Sequence, residues 1–247
     1  MNKIGLALGG GGTRGFAHIG AIKALEEKGI KAEVFSGTSA GAIVAGLLAD
    51  QKTPDEIMDF LKGVKLMDAA KITLPVTGFA SLDNLGKKLD EILGHKTFAD
   101  LKYPLYICVS NLNTGRVEYI SSGNVAQAIQ ASASIPILFT PVTINECQYV
   151  DGGVLENVPV TPLIDRCEKL IAIDISPVKE NEKVDGFAQV ITQILQMTVG
   201  MQYDKEKYCD LLIRLNELSN YNILDTSNNE KIYDIGYSHV KGLEIGF

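Results

Sequence analysis

The chain of 247 residues is 46% hydrophobic and 21% charged, which is typical of a globular protein. This composition excludes a disordered tail, a collagen and a low-complexity linker. The formal net charge of −7 argues against a nucleic-acid-binding face, which needs clustered Lys and Arg side chains. It also disfavours a purely electrostatic contact with anionic lipid, while a local apolar contact with a membrane stays open.

The four cysteines are spread widely along the chain, with no C-x-x-C pair and no Cys/His cluster. We therefore expect no metal site, and buried thiols in a reducing compartment. The longest apolar run, residues 40–49, is too short to span a bilayer, and the run at residues 4–8 is too brief for a signal-peptide core. These features predict a cytoplasmic protein with at most a peripheral membrane contact. The cysteines are Cys108, Cys147, Cys167 and Cys209.

The start of the chain predicts alternating strands and helices. Residues 4–8 form a short apolar run that indicates a buried strand. Apolar residues recur at helical spacing across residues 16–28, and Gly29 is a typical helix end. Residues 34–36 predict a second strand, and residues 40–49 predict a buried helix. This order favours an α/β fold, because a crossover helix joins parallel strands.

The rest of the chain continues the mixture without an internal repeat or a linker-like break. Residues 53–94 are predicted to be mostly helical, with Thr53 as the N-cap before Pro54. Further strands are predicted at residues 105–109, 116–120, 148–150, 170–175 and 211–215. Further helices are predicted at residues 125–133, 187–201 and 232–243. We predict a single domain over residues 1–247.

A G-x-S-x-G motif occupies residues 37–41, between a predicted strand and a predicted helix. This context is typical of a nucleophile elbow, in which a sharp turn presents a serine hydroxyl to a cleft. Gly37 and Gly41 would let the strand and the helix approach, and the helix N-terminus would favour negative charge near Ser39. The alternative is a strand-to-helix turn without chemistry.

A glycine-rich loop at residues 9–15 directly follows the first strand. Consecutive glycine amides can form an anion-binding nest, which in an acyl-transfer enzyme would be an oxyanion hole. The same residues satisfy the G-x-G-x-x-G dinucleotide fingerprint, with Glu33 at a suitable separation for a ribose. A dinucleotide-binding protein is therefore a competing hypothesis. The fingerprint glycines are Gly10, Gly12 and Gly15.

Asp151, followed by Gly152 and Gly153, ends a predicted strand and could reach an active site at the sheet edge. The alternative is a solvent-facing Asp-Gly turn. A Ser-His-Asp esterase would need a histidine after this aspartate, and only His239 follows it. His18 is expected to pack against or brace the glycine loop. A Ser–Asp dyad needs no histidine when the carboxylate contacts the serine hydroxyl.

Together, residues 9–20, the motif at residues 37–41 and the Asp151 turn resemble the patatin-like phospholipase family in order and separation. Two further stretches fit the same family, residues 131–142 and residues 157–159. The resemblance covers residues 3–175, and the small size looks like the single-domain bacterial members.

The resemblance implies a three-layer α/β/α fold and a lipid acyl hydrolase without metal or cofactor. It implies that Ser39 is the nucleophile and Asp151 the base. The implied oxyanion hole consists of the amides of Gly9, Gly10, Gly11 and Gly12. The implied supporting residues are Arg14, Gly37, Gly41 and Gly152. The substrate would be a phospholipid or another acyl ester, and the less favoured alternatives are a Ser-His-Asp esterase and a dinucleotide-binding protein.

Residues 66–80 mix apolar side chains with proline and glycine and show no clear period. We take them, as a hypothesis, to be a mobile cover over the site whose apolar residues could meet lipid. The alternative is an ordinary surface connection.

Overall fold

The computed structural model describes residues 3–64, 81–177 and 207–246, together with residues 190, 193 and 197. Within these residues the chain forms one sheet of eight strands. The strands are β1 (Ile4–Leu8), β2 (Val34–Gly37), β3 (Leu105–Asn111), β4 (Arg116–Ile120), β5 (Val142–Ile144), β6 (Cys147–Asp151), β7 (Lys169–Asp174) and β8 (Leu211–Arg214). The strand order is β5-β6-β3-β2-β1-β7-β8, and β4 also pairs with β3.

The centre of the sheet is parallel. Strands β3, β2, β1, β7 and β8 run in one direction, whereas β4 and β6 pair antiparallel with β3. The register places Leu8, the last residue of β1, beside Gly37, the last residue of β2. The loops that follow these two strands therefore leave the sheet side by side at its carboxyl edge.

Six α-helices lie wholly within the described ranges. They are α1 (Phe16–Glu27), α2 (Ala40–Ala49), α3 (Pro54–Gly63), α4 (Asp83–Leu93), α5 (Val125–Ser132) and α6 (Asn229–Gly242). At the start of α3, Thr53 and Glu56 form a capping box, in which each side chain bonds to the other residue's amide. Helix α4 ends at Gly94, which takes the left-handed conformation expected of a helix stop.

The two faces of the sheet bury different sets of side chains. The larger core cluster includes Leu6, Leu8 and Ile171 together with residues from all six helices. The second cluster includes Ala7 and Leu170, the alternate residues of the same strands, and it packs against residues 158–163. Period-two alternation along β1 and β7 thus divides the core between two sides of one sheet.

The α/β class and the mostly parallel sheet flanked by helices are confirmed, and the predicted strands and helices in the described residues are found within a few residues of their predicted bounds. Strand β5 was not predicted. The expectation of four buried thiols is wrong, because only Cys108 is buried and the other three are partly exposed. The predicted cover at residues 66–80 lies outside the described residues, as does most of the predicted helix at residues 187–201.

No helix within the described ranges is long and apolar enough to cross a bilayer.

Candidate active site

Ser39 lies in the sharp turn between β2 and α2. Its backbone has φ 54° and ψ −121°, a conformation that is rare and strained for a residue with a side chain. This geometry is what a nucleophile elbow requires, because it lifts the side chain out of the turn. The residue is 7% exposed, so its hydroxyl lies in a largely buried environment.

The elbow depends on the two glycines of the motif. A Cβ on Gly37 would lie 2.4 Å from the Gly41 carbonyl oxygen. A Cβ on Gly41 would lie 2.2 Å from the Leu8 carbonyl oxygen. Both separations are far inside van der Waals contact, so a side chain at either position would force the strand and helix apart. Gly37 and Gly41 therefore allow the strand and helix backbones to approach closely, which is the supporting role that the sequence predicts for them.

The strained Ser39 backbone is held by α5. The Ser39 amide donates to the Ser132 hydroxyl oxygen at 2.9 Å, and that hydroxyl donates to the Cys108 carbonyl at 2.6 Å. Ser132 is fully buried and connects the elbow to β3. One buried side chain thus satisfies a backbone donor and a backbone acceptor that water does not reach.

Asp151 is buried at the end of β6 and lies within hydrogen-bonding reach of the Ser39 hydroxyl. Its Oδ1 accepts from the Gly153 amide at 2.8 Å, and its own amide donates to the Ser134 carbonyl at 2.9 Å. A Cβ on Gly152 would lie 2.4 Å from the Cys108 carbonyl oxygen, so the turn needs a glycine there. The structure therefore brings Ser39 and Asp151 together from distant parts of the chain.

Burial raises the pKa of the Asp151 carboxyl to about 6, and the hydrogen bonds from Ser39 and Gly153 reduce this rise. A carboxylate with a pKa near neutrality is ionised at physiological pH and still basic enough to accept a proton.

None of the three histidines is among the groups that shift the Asp151 pKa, and His239 lies in the last turn of α6. The His18 Nε2 donates to the Gly9 carbonyl oxygen at 2.7 Å, so it braces the glycine loop as expected. Burial lowers the pKa of His18 to about 4, which keeps its ring neutral. His95 lies 3.7 Å from Asp90. The contacts that shape the Asp151 pKa include no histidine, which disfavours a Ser-His-Asp triad.

The glycine loop passes directly beside Ser39. A Cβ on Gly10 would lie 3.0 Å from the Ser39 Cβ. The amides of Gly9 and Gly10 are not free, because they donate to the carbonyls of Ile173 (3.0 Å) and Asn157 (3.3 Å). Among the described residues, the amides of Gly11 and Gly12 have no acceptor. Of the four amides expected to form an oxyanion hole, two therefore already have a backbone acceptor, and those of Gly11 and Gly12 have none among the described residues.

Arg14 is buried and ties the glycine loop to the segment before α6. Its Nε donates to the Tyr221 carbonyl oxygen at 2.9 Å and its Nη1 to the Pro177 carbonyl oxygen at 3.4 Å. Next to it, the Thr13 amide donates to the Ile223 carbonyl oxygen at 2.9 Å. These bonds support the loop, and none of them requires a chemical step for Arg14.

The dinucleotide hypothesis does not fit this geometry. Glu33 precedes β2, and its amide donates to the Ile4 carbonyl at the start of β1. The glycine loop follows the other end of β1, so Glu33 lies at the opposite edge of the sheet from the place where a ribose would bind. The Thr13 amide, which a pyrophosphate would need as a donor, already donates to the Ile223 carbonyl oxygen.

The chain matches the family model described as "Patatin-like phospholipase" over residues 6–164, more than half of its length. The chain belongs to this family. The matched range contains Ser39, Asp151 and the glycine loop, so the motifs that carry the sequence resemblance all lie in the patatin-like region.

Among curated proteins, the chain is similar to "Lysophospholipase NTE1" of Kluyveromyces lactis, with 28% identity over 96% of this chain and 19% of that protein. It is likewise 28% identical to "Lysophospholipase NTE1" of Saccharomyces cerevisiae, over 96% of this chain and 16% of that protein. The chain therefore spans less than a fifth of the length of these fungal relatives.

Among solved structures, the chain is similar to VipD from Legionella pneumophila. The TM-score is 0.63 at 16% identity, over 97% of this chain and 66% of that chain. At this identity the likeness concerns the fold alone. It agrees with the patatin-like, mostly parallel sheet described above.

Sequence reasoning assigned no role to three polar residues that hold the patatin-like site together. Ser132 and Asn157 lie in stretches that fitted the family resemblance, but nothing in their local pattern indicates which backbone group they bond. Ser176 follows β7, and its contact with the glycine loop arises only when β7 pairs beside β1. The position of Ser176 directly after a central parallel strand is the one sequence feature that indicates a place near the site.

Proposed function

We propose that this chain is a serine acyl hydrolase that cleaves fatty-acyl esters of lipids with Ser39 as nucleophile and Asp151 as general base. The contact between the Ser39 hydroxyl and the buried Asp151 carboxylate carries the proposal. The strained elbow, the two glycine amides that have no acceptor among the described residues and the family membership support it.

The first half of the proposed reaction forms an acyl-enzyme. The Ser39 oxygen attacks the ester carbonyl carbon while the hydroxyl proton moves to Asp151. The carbonyl oxygen becomes an oxyanion that accepts hydrogen bonds from the amides of Gly11 and Gly12. When the tetrahedral intermediate collapses, Asp151 returns the proton to the departing alcohol oxygen.

The second half releases the fatty acid. Water attacks the acyl carbonyl, gives its proton to Asp151, and the same two amides hold the new oxyanion. Collapse then breaks the bond to Ser39, which recovers its proton from Asp151. Helix α2 begins directly after Ser39, so its N-terminal dipole favours the negative charge in both halves.

We propose a lipid as substrate because the fungal relatives carry the name lysophospholipase. A chain that acts on lipid must meet an aggregate or a membrane, so we expect a peripheral contact with the lipid surface. We propose the cytoplasm as its location. We also propose that the chain is one domain. Strands from residue 4 to residue 214 lie in the same sheet, and α6 packs closely on α1, which supports this.

The test is hydrolysis of a panel of lysophospholipids, diacyl phospholipids and short acyl esters by purified protein. We expect wild type and His239→Ala to release fatty acid at similar rates, and Ser39→Ala to release none. If His239→Ala lost as much activity as Ser39→Ala, the result would favour a Ser-His-Asp triad. Activity that survives Ser39→Ala, or no turnover of any ester by folded wild-type protein, would contradict the proposal.

A further inference from the structure

The carbonyl of Gly10 is held by two side chains from different parts of the chain. The Ser176 hydroxyl donates to it at 2.6 Å, and the Asn157 Nδ2 approaches at 3.4 Å. Ser176 is 8% exposed, and its own amide donates to the Asp174 carboxylate at 2.9 Å. The shorter bond comes from Ser176, so this residue makes the main contribution to fixing the carbonyl.

Fixing the Gly10 carbonyl also fixes the Gly11 amide. The two groups belong to one planar trans peptide, so the N–H points in the opposite direction from the C=O. Since the carbonyl points at Ser176 and Asn157, the Gly11 N–H points away from them. It has no acceptor among the described residues, and it follows Gly10, where an added Cβ would lie 3.0 Å from the Ser39 Cβ.

A peptide between two glycines flips easily, because no Cβ restricts either neighbour. A flip here would present the Gly10 carbonyl instead of the Gly11 amide to the developing oxyanion, and two negative oxygens would face each other. The preceding peptide is already held, since His18 donates to the Gly9 carbonyl and the Gly10 amide donates to Asn157. The Gly10–Gly11 peptide depends mainly on Ser176.

We propose that Ser176 is a positioning residue: through its bond to the Gly10 carbonyl it holds the Gly11 amide in the orientation that binds the oxyanion. This inference rests on the proposed function. Ser176 contacts neither Ser39 nor Asp151 in the described contacts, so it acts on the transition state and leaves the base and the bound substrate unaffected.

The experiment compares wild type, Ser176→Ala and Ser36→Ala. Ser36 is a matched control, because its buried hydroxyl also donates to a backbone carbonyl at 2.6 Å, that of Pro159, and this bond involves no residue of the glycine loop. Each protein is assayed for kcat, KM, the pH dependence of kcat/KM and the unfolding midpoint. Should Ser176→Ala fail to fold, Ser176→Cys replaces it, since a thiol keeps the volume but donates weakly.

A second readout uses a trifluoromethyl ketone that carries an acyl chain. The Ser39 oxygen adds to its carbonyl carbon, the hydroxyl proton moves to Asp151, and the carbonyl oxygen becomes an oxyanion in the hole. We expect Ser176→Ala to lower kcat by about 10-fold to 100-fold, with KM within about twofold of wild type. The inhibition constant of the ketone should rise by a similar factor. The apparent pKa in the pH dependence of kcat/KM should equal that of wild type.

The control should keep its kcat within about twofold while losing a similar amount of stability. The inference is overturned if Ser176→Ala keeps the wild-type kcat and ketone affinity, or if Ser36→Ala loses as much of both. In either case an active wild type that is inactivated by Ser39→Ala leaves the proposed function standing. A wild type that neither turns over esters nor binds the ketone overturns both.

Discussion

The Ser39 backbone amide donates to the Ser132 hydroxyl oxygen at 2.9 Å, so the strained turn at Ser39 is held by a side chain nearly a hundred residues away. The bond stabilises a conformation that Ser39 would otherwise leave. It also satisfies a backbone donor that has no access to water.

Ser132→Ala should therefore destabilise the fold and slow catalysis. It leaves the buried Ser39 amide and the Cys108 carbonyl without this partner, at a cost of about 1–3 kcal/mol. Chemical denaturation and ester hydrolysis measure the two effects. Ser134→Ala is the matched control at the same helix end. Its hydroxyl donates only to the Gln130 carbonyl, which also accepts from the Ala133 amide, so a smaller loss is expected. Equal effects of the two substitutions would contradict the account.

The rate should depend on pH through Asp151. The carboxylate accepts the Ser39 proton only when it is ionised, and burial raises its pKa to about 6. We expect kcat/KM to rise about tenfold per pH unit below this value and to level off above it. A pH–rate profile between pH 4.5 and 8.5 tests this. A profile that is flat across that range would show that Asp151 is not the base.

Stability should respond to Asp151 in the opposite sense. The folded-state pKa of about 6 lies above the ordinary aspartate value of 3.8, so the folded chain disfavours the charged form. The stability that wild type has with Asp151 protonated is fully present below about pH 4 and is lost as pH rises through 6. The free energy of unfolding of Asp151→Asn, relative to that of wild type, should consequently increase by on the order of 3 kcal/mol as the pH is raised from 4 to 8. Denaturant titrations at both pH values measure the gain. A constant difference between the two proteins would contradict the assigned pKa.

Gly12 should not tolerate a side chain. It has φ +57°, and a Cβ there would lie 2.2 Å from the Ile223 carbonyl oxygen. Gly115 has φ +67° with no atom within 4 Å of such a Cβ, so it isolates the backbone strain. We expect Gly115→Ala to cost about 1 kcal/mol and Gly12→Ala clearly more, with loss of activity. Thermal unfolding and ester hydrolysis of both variants check this. Similar melting temperatures and full activity in both would be inconsistent with the packing described.

The sequence predicted most of the sheet and helices because their signals are local. Runs such as residues 4–8 and 40–49 carry their own hydrophobic pattern. Strand β5 lacks such a signal: its hairpin with β6 turns at Asn145 and Glu146, both at positive φ, without the Asn-Gly pair that marks such turns. The separation of Glu33 from the glycine loop is also invisible to spacing, because it depends on strand direction.

For the candidate site, motifs indicated Ser39, Asp151 and the loop, while the structure determined which groups are free. Spacing cannot reveal that the Gly9 and Gly10 amides are already bonded, since their acceptors belong to Ile173 and Asn157. The bonds from Ser132 and Ser176 likewise join segments that are distant in the chain. Such long-range hydrogen bonds have no periodic or motif signature.

Covalent labelling with a fluorophosphonate probe, followed by intact mass and peptide mapping, tests most directly whether Ser39 is a nucleophile activated by Asp151. Wild type, Ser39→Ala and Asp151→Asn are compared with and without lipid micelles. We expect one adduct on Ser39 in wild type, none in Ser39→Ala and a much slower reaction in Asp151→Asn. An unlabelled wild type that is folded under both conditions, an adduct on another residue, or equal labelling rates in wild type and Asp151→Asn would contradict it.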